Sequence, residues 1–171
     1  MTIAQRIAAF MAARDVPFYI GLTDTETTHN CVTKSDRLAN DLHDLGLKTR
    51  QILCTFDWTE TALPQHILDL PRDPGETHLF LQIFIPETNS WINCDPTWDN
   101  ALKPAGFPIA EWDGLNDTIL AVKPHVIYSP EESITLLNDE NDPDESVKHM
   151  QMHHDFYHAI NEWLCEKRKA V

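Results

Sequence analysis

Cys31, His78 and Asp95 are the residues of this chain whose types and placement could do covalent chemistry. The pattern around them puts Cys31 in the first turn of an amphipathic helix, His78 at the start of a strand and Asp95 at the end of the next. A thiol at a helix N-terminus lies where the macrodipole favours the thiolate, its nucleophilic form. A histidine beside it can accept the thiol proton. A carboxylate behind the histidine can fix the ring tautomer and stabilise the imidazolium. Such a trio performs acyl transfer through a thioester.

The elements that must position these groups follow from capping and periodicity. Thr2 and Gln5 have capping-box spacing before an apolar stripe of Ile3, Ile7, Phe10 and Met11, which predicts a helix over 2–13. Asn30 is a plausible N-cap for a second helix, with Leu38, Leu42 and Leu45 at helical spacing and Gly46 as its stop. Strands are expected over 49–56, 78–85, 91–95 and 119–128. The stretch 57–77 holds Pro64, Pro71, Pro74 and Gly75 and reads as a loop with one short helical piece. Loops of that length often border a site, so Trp58, Leu63 and Ile67 are expected to line a substrate cleft, with burial in the core as the alternative.

Strand alternation makes a geometric prediction. Leu79, Leu81, Ile83 and Ile85 share one face, and His78, Phe80, Gln82 and Phe84 share the other. Pairing Ile92 and Cys94 with the aliphatic face carries Asp95 to the face of His78, and a four-residue loop over 86–89 gives that register. A slip of one residue would separate the pair. Asp99 is the reserve carboxylate.

These residues resemble the transglutaminase-like superfamily, whose papain-like core uses a Cys-His-Asp triad in this chain order. The resemblance rests on Cys31 with Lys34, Leu38, Leu42, Leu45, Gly46 and Arg50 downstream, on His78-Leu79-Phe80-Leu81-Gln82-Ile83, and on Trp91-Ile92-Asn93-Cys94-Asp95-Pro96-Thr97. Val32 stands where the family often has Trp, and Phe80 and Gln82 replace its common Trp and Glu. The resemblance implies an α+β fold of the papain-like cysteine-proteinase type, with the Cys-bearing helix packed on an antiparallel sheet. It implies Cys31 as nucleophile, His78 as base then acid, and Asp95 as its orienting group. It also implies an amide substrate, from a peptide or a glutamine side chain, and no cofactor. It does not choose between water and an amine as acceptor; the small single-domain chain is what puts hydrolysis ahead of cross-linking transfer. A catalytically silent domain that binds a peptide or protein partner is a second reading.

Bulk composition narrows the class. The 171 residues suffice for one domain, read as a core over 1–137 with an acidic connector and C-terminal helix over 138–171 packing on it. A net charge of −14 argues against nucleic acid as a partner. No run approaches the roughly 20 apolar residues of a membrane span. Cys31, Cys54, Cys94 and Cys165 are widely spaced, which fits reduced cytoplasmic thiols, with Cys54 and Cys94 as buried strand residues. Asp142, Pro143 and Glu145 have N-cap, N1 and N3 spacing for the last helix, on which Phe156, Ile160, Trp163 and Leu164 form the docking stripe. His149 with His153, and His154 with His158, have the i,i+4 spacing of metal ligands. With no HExxH or Cys cluster nearby they read as a polar helix face, a histidine metal-binding protein being the third reading.

Overall fold

Local signals close the first two helices as their caps predict. In α1 (Ile3–Arg14) the Thr2 hydroxyl accepts from the Gln5 N–H, and Gln5 Oε1 accepts from the Thr2 N–H. In α2 (Cys31–Asp44) the Asn30 side chain accepts from the Val32 and Thr33 N–H groups. Gly46 ends the helix turn in the left-handed region at φ 83°, where a Cβ would be strained. The computed structural model describes residues 2–23, 25–73, 75–140 and 143–169, apart from the side chains of 139, 140 and 143–146.

The strands β1 (Thr49–Phe56), β2 (Glu76–Ile85), β3 (Ser90–Cys94) and β4 (Val126–Ile127) form one antiparallel sheet in the order β3-β2-β1-β4. Three further helices are α3 (Gln65–Leu68), α4 (Pro130–Glu140) and α5 (Pro143–Lys169). The fold is therefore α+β, with α2 packed against β1 and β2.

Period-two alternation divides the core in two. Leu81, Ile83 and Ile85 join Ile92 and Cys94, and against them pack Phe10 and Ala13 of α1 and Leu38 and Leu42 of α2. Ile52, Cys54, Phe56 and Phe80 join the other cluster, with Phe156, Tyr157, Ile160 and Leu164 of α5. Each fully buried side chain of this kind stabilises the fold by about 1.5–3 kcal/mol relative to exposure. In β2 and β3, Leu81 faces Cys94, Ile83 faces Ile92 and Ile85 faces Ser90, across a loop of four residues, 86–89. That is the register the hydrophobic pattern predicts.

Three expectations fail, each for a physical reason. Of the strand expected over 119–128, only Val126–Ile127 pairs, with Thr55 and Cys54. The chain before it bends so that its backbone and hydroxyl groups reach Asp95 instead. Helix α4 was not expected, although its start is written in the sequence. The Ser129 N–H donates to Glu132, the Glu132 N–H donates to Ser129, and Pro130 occupies the first turn. The acidic stretch over 138–145 accordingly begins as the last turn of α4 rather than as connector, and α5 begins at Pro143. The expected cap Asp142 lies outside the described residues.

The third correction concerns the loop over 57–77. Trp58, Leu63 and Ile67 are buried in the core, the alternative reading of this loop. The Trp58 ring meets Phe56 edge-on at 4.9 Å and Phe156 at 5.6 Å. Apolar chemistry suits a pocket and a core equally, and α5 decides the matter by covering these rings.

Candidate active site

His78 arrives on β2, two residues into the strand, and only 3% of its surface is exposed. Its Nε2 lies 2.8 Å from Asp95 Oδ2. Asp95, one residue beyond β3, continues the β2–β3 register onto the face of His78. The pairing expected from alternation is thus present.

The Asp95 carboxylate is held from several sides. Oδ2 also accepts from the Ala121 N–H at 2.7 Å, and Oδ1 accepts from the Thr97 N–H at 3.1 Å. The Asp95 N–H donates to Thr118 Oγ1 at 3.0 Å. With Nε2 given to the carboxylate, Nδ1 is the ring nitrogen that remains, and the Cys31 sulfur lies near enough to bear on the ring's protonation. Burial by itself would lower the His78 pKa. The charge and hydrogen bond of Asp95, followed by the hydrogen bond and charge of Cys31, more than reverse this and raise it to about 10. Burial likewise pushes Asp95 up, but the His78 charge and the bonds from His78, Thr97 and Ala121 hold it below the ordinary carboxylate value. The pair therefore rests as imidazolium and carboxylate.

Cys31 is partly exposed at the start of α2. Asn30 takes up the Val32 and Thr33 N–H groups, and the Lys34 N–H bonds the Asn30 carbonyl, leaving the Cys31 N–H at the mouth of the helix. The other thiols differ. Burial, aided by the Asp95 and Cys31 charges, pushes Cys54 up to about 12. Burial and Asp95 push Cys94 well above its usual value. Cys165 is exposed on α5.

Lys34, one turn after Cys31, was not singled out from the sequence as a positioning group. Its ammonium donates to the carbonyls of Arg14 at 2.7 Å, Val16 at 2.8 Å and Thr97 at 2.7 Å. It thereby ties the helix carrying the thiol to the loop carrying the carboxylate. Burial pushes its pKa down to about 7, against the nearby charge of Asp99. A lysine on the apolar stripe of a helix, in line with Leu38 and Leu42, was the available signal. Thr118 and Ala121 gave no such signal.

Asp99 does not approach His78 as the reserve assignment would require. It accepts from the Phe18 N–H at 2.9 Å and from Arg168 at 2.6 and 3.2 Å. Near the thiol, the Tyr157 hydroxyl donates to Glu76 Oε1 at 2.9 Å. Burial, then Glu76 and more weakly Cys31, push that hydroxyl's pKa up.

No family model, curated protein or solved structure matches this chain. No helix among the described residues is long and apolar enough to cross a membrane.

Proposed function

We propose that this protein is a thiol-dependent acyl-transfer enzyme of transglutaminase-like, papain-related type that hydrolyses an amide in a peptide or a glutamine side chain. The observation that carries this reading is His78 gripped by Asp95 at Nε2, with the Cys31 thiol at the start of α2 close enough to bear on the ring. Structural histidines need no such pairing of a nucleophile on one side and a buried carboxylate on the other.

The chemistry runs through the Cys31 sulfur and the imidazolium of His78, which holds the proton taken from the thiol. Cys31 Sγ attacks the amide carbon, and the carbonyl oxygen gathers charge beside the Cys31 N–H at the positive end of α2. His78 passes the proton it took from the thiol to the departing amine, and the C–N bond breaks to leave a thioester. Water then attacks the thioester carbon and gives a proton to His78. The C–S bond breaks, the acid leaves, and the proton on His78 restores the starting pair. Asp95 holds the ring with Nδ1 towards sulfur throughout, and Lys34 keeps the two loops in register as a positioning residue.

Alkylation of the folded protein near pH 6, mapped by peptide mass, tests the reading. An ordinary thiol, with a pKa of about 8.5, is less than ~1% ionised there. Cys31 is expected to label far ahead of Cys54, Cys94 and Cys165, and to lose that lead in His78→Ala. Labelling of Cys31 no faster than the exposed Cys165 would remove the basis for a thiol enzyme.

A further inference from the structure

We infer that Glu76, His149 and His153 form a site for a zinc-type divalent cation that joins the start of β2 to α5. Among the described residues, their ligand atoms lie within 4.8 Å of one another. Glu76 Oε1 is 3.8 Å from His149 Nε2 and 3.9 Å from His153 Nε2. Zinc holds such donors at about 2.0–2.2 Å in a tetrahedron, which sets them roughly 3.3 Å apart. The two carboxylate–imidazole separations exceed this by about half an ångström.

The surroundings prepare each ligand. The His153 ring is fully buried, which a merely polar helix face does not explain. Its Nδ1 donates to the His149 carbonyl at 2.8 Å, and this leaves Nε2 without a proton and facing Glu76. Nε2 now accepts from the Asp73 N–H at 3.0 Å, so a cation would replace one hydrogen bond with a coordinate bond. The Tyr157 hydroxyl orients Glu76 by donating to Oε1 at 2.9 Å. His149 is half-exposed and opens the site to solvent, which allows a water as fourth ligand. The Asp73 carboxylate, 3.7 Å from His153 Nε2, adds negative charge.

Two imidazoles with one carboxylate favour zinc or its transition-metal neighbours over magnesium or calcium. The other i,i+4 pair, His154 and His158, is exposed on both rings and lies outside the converging group. This site does not depend on the catalytic reading, although it lies beside the proposed triad.

The test is zinc binding to the full chain, read by equilibrium dialysis and by the shift of Tm with zinc chloride. One zinc per chain and a rise in Tm with zinc are expected. His149→Ala, at a half-exposed side chain, should weaken binding at least tenfold, as should Glu76→Gln. His158→Ala and Cys31→Ser should bind as the wild type does. Wild-type affinity no tighter than that of His149→Ala would overturn the site. So would loss of binding in Cys31→Ser, because the thiol and His78 would then be the ligands. Neither result bears on Cys31 alkylation measured without metal.

Discussion

Asp95 and Asp99 stand four residues apart on one stretch of chain, and both are buried, at 1% and 2% exposure. Each carries several hydrogen bonds and an ion pair, yet they do different work. Asp95 faces a histidine, whose proton can leave and return. Asp99 faces Arg168, whose guanidinium stays charged at any working pH, and caps the Phe18 N–H as well. The second arrangement fastens the C-terminal end of α5 to the chain after α1 and can do no proton chemistry. Burial and charge alone therefore do not distinguish the two carboxylates. The exchangeable proton on the partner does.

The largest contrast should appear in turnover. Asp95→Asn keeps the shape of the side chain but removes the charge that orients and stabilises His78, so kcat on an amide substrate should fall about 10³–10⁴-fold. Asp99→Asn should leave the kcat of the folded fraction within about tenfold of wild type. Equal losses in the two variants would mean that both carboxylates serve only the scaffold, or that Asp99 reaches the site through movement.

Stability should sharpen the contrast from the other side. Asp99→Ala strands a mostly buried guanidinium and a buried N–H, which costs about 3 kcal/mol. Thermal melting should show a loss of roughly 6–12 °C for a chain of this size. Arg168→Met strands the more deeply buried Asp99 carboxylate and should cost at least as much, whereas Arg168→Met combined with Asp99→Asn, which removes both charges, should cost less. If the double variant costs more, the arginine's other bond, to the Phe18 carbonyl, is the stronger tie.

The smallest and most specific difference lies in pH dependence. The folded pKa of His78, about 10, stands above its ordinary 6.5, so its contribution to stability is fully present below 6.5 and fades as pH rises through 10. The stability gap between wild type and Asp95→Asn should therefore shrink between pH 7 and 10. Between about pH 8 and 10 the gap between wild type and Asp99→Ala should stay level, because arginine does not titrate there and Lys34, whose pKa of about 7 feels the Asp99 charge, has already lost its proton. In Asp95→Asn the burial of His78 persists while its counter-charge is gone, and the ring should titrate well below 10 by NMR. An unchanged His78 titration would show that Asp95 does not hold the proton.

Much of the frame was legible because it rests on short-range rules. Thr2 with Gln5 and Asn30 before Cys31 are caps, settled within three residues of chain. The β2–β3 register follows from the two-residue period and a four-residue loop, and it brings Asp95 to the face of His78 without reference to the rest of the fold. Where the rules were local and unread, as at Ser129-Pro130-Glu131-Glu132, α4 was missed although its capping signal was present.

What the sequence determined by itself was the set of candidate groups and the strand pairing that aligns two of them, since capping energies and side-chain alternation act between near neighbours. Only the tertiary structure made Asp99 an anchor for Arg168 and supplied the remaining partners of Asp95. Thr118 and Ala121 reach Asp95 across 23 and 26 residues, and Arg168 reaches Asp99 across 69. Only it joined Lys34 to the Thr97 carbonyl, buried Trp58 under Phe156, and brought Glu76 to two histidines of α5. Such contacts depend on how whole elements pack, and no local pattern carries that information, because one buried carboxylate, lysine or tryptophan satisfies the same propensities as another until the opposing surface arrives.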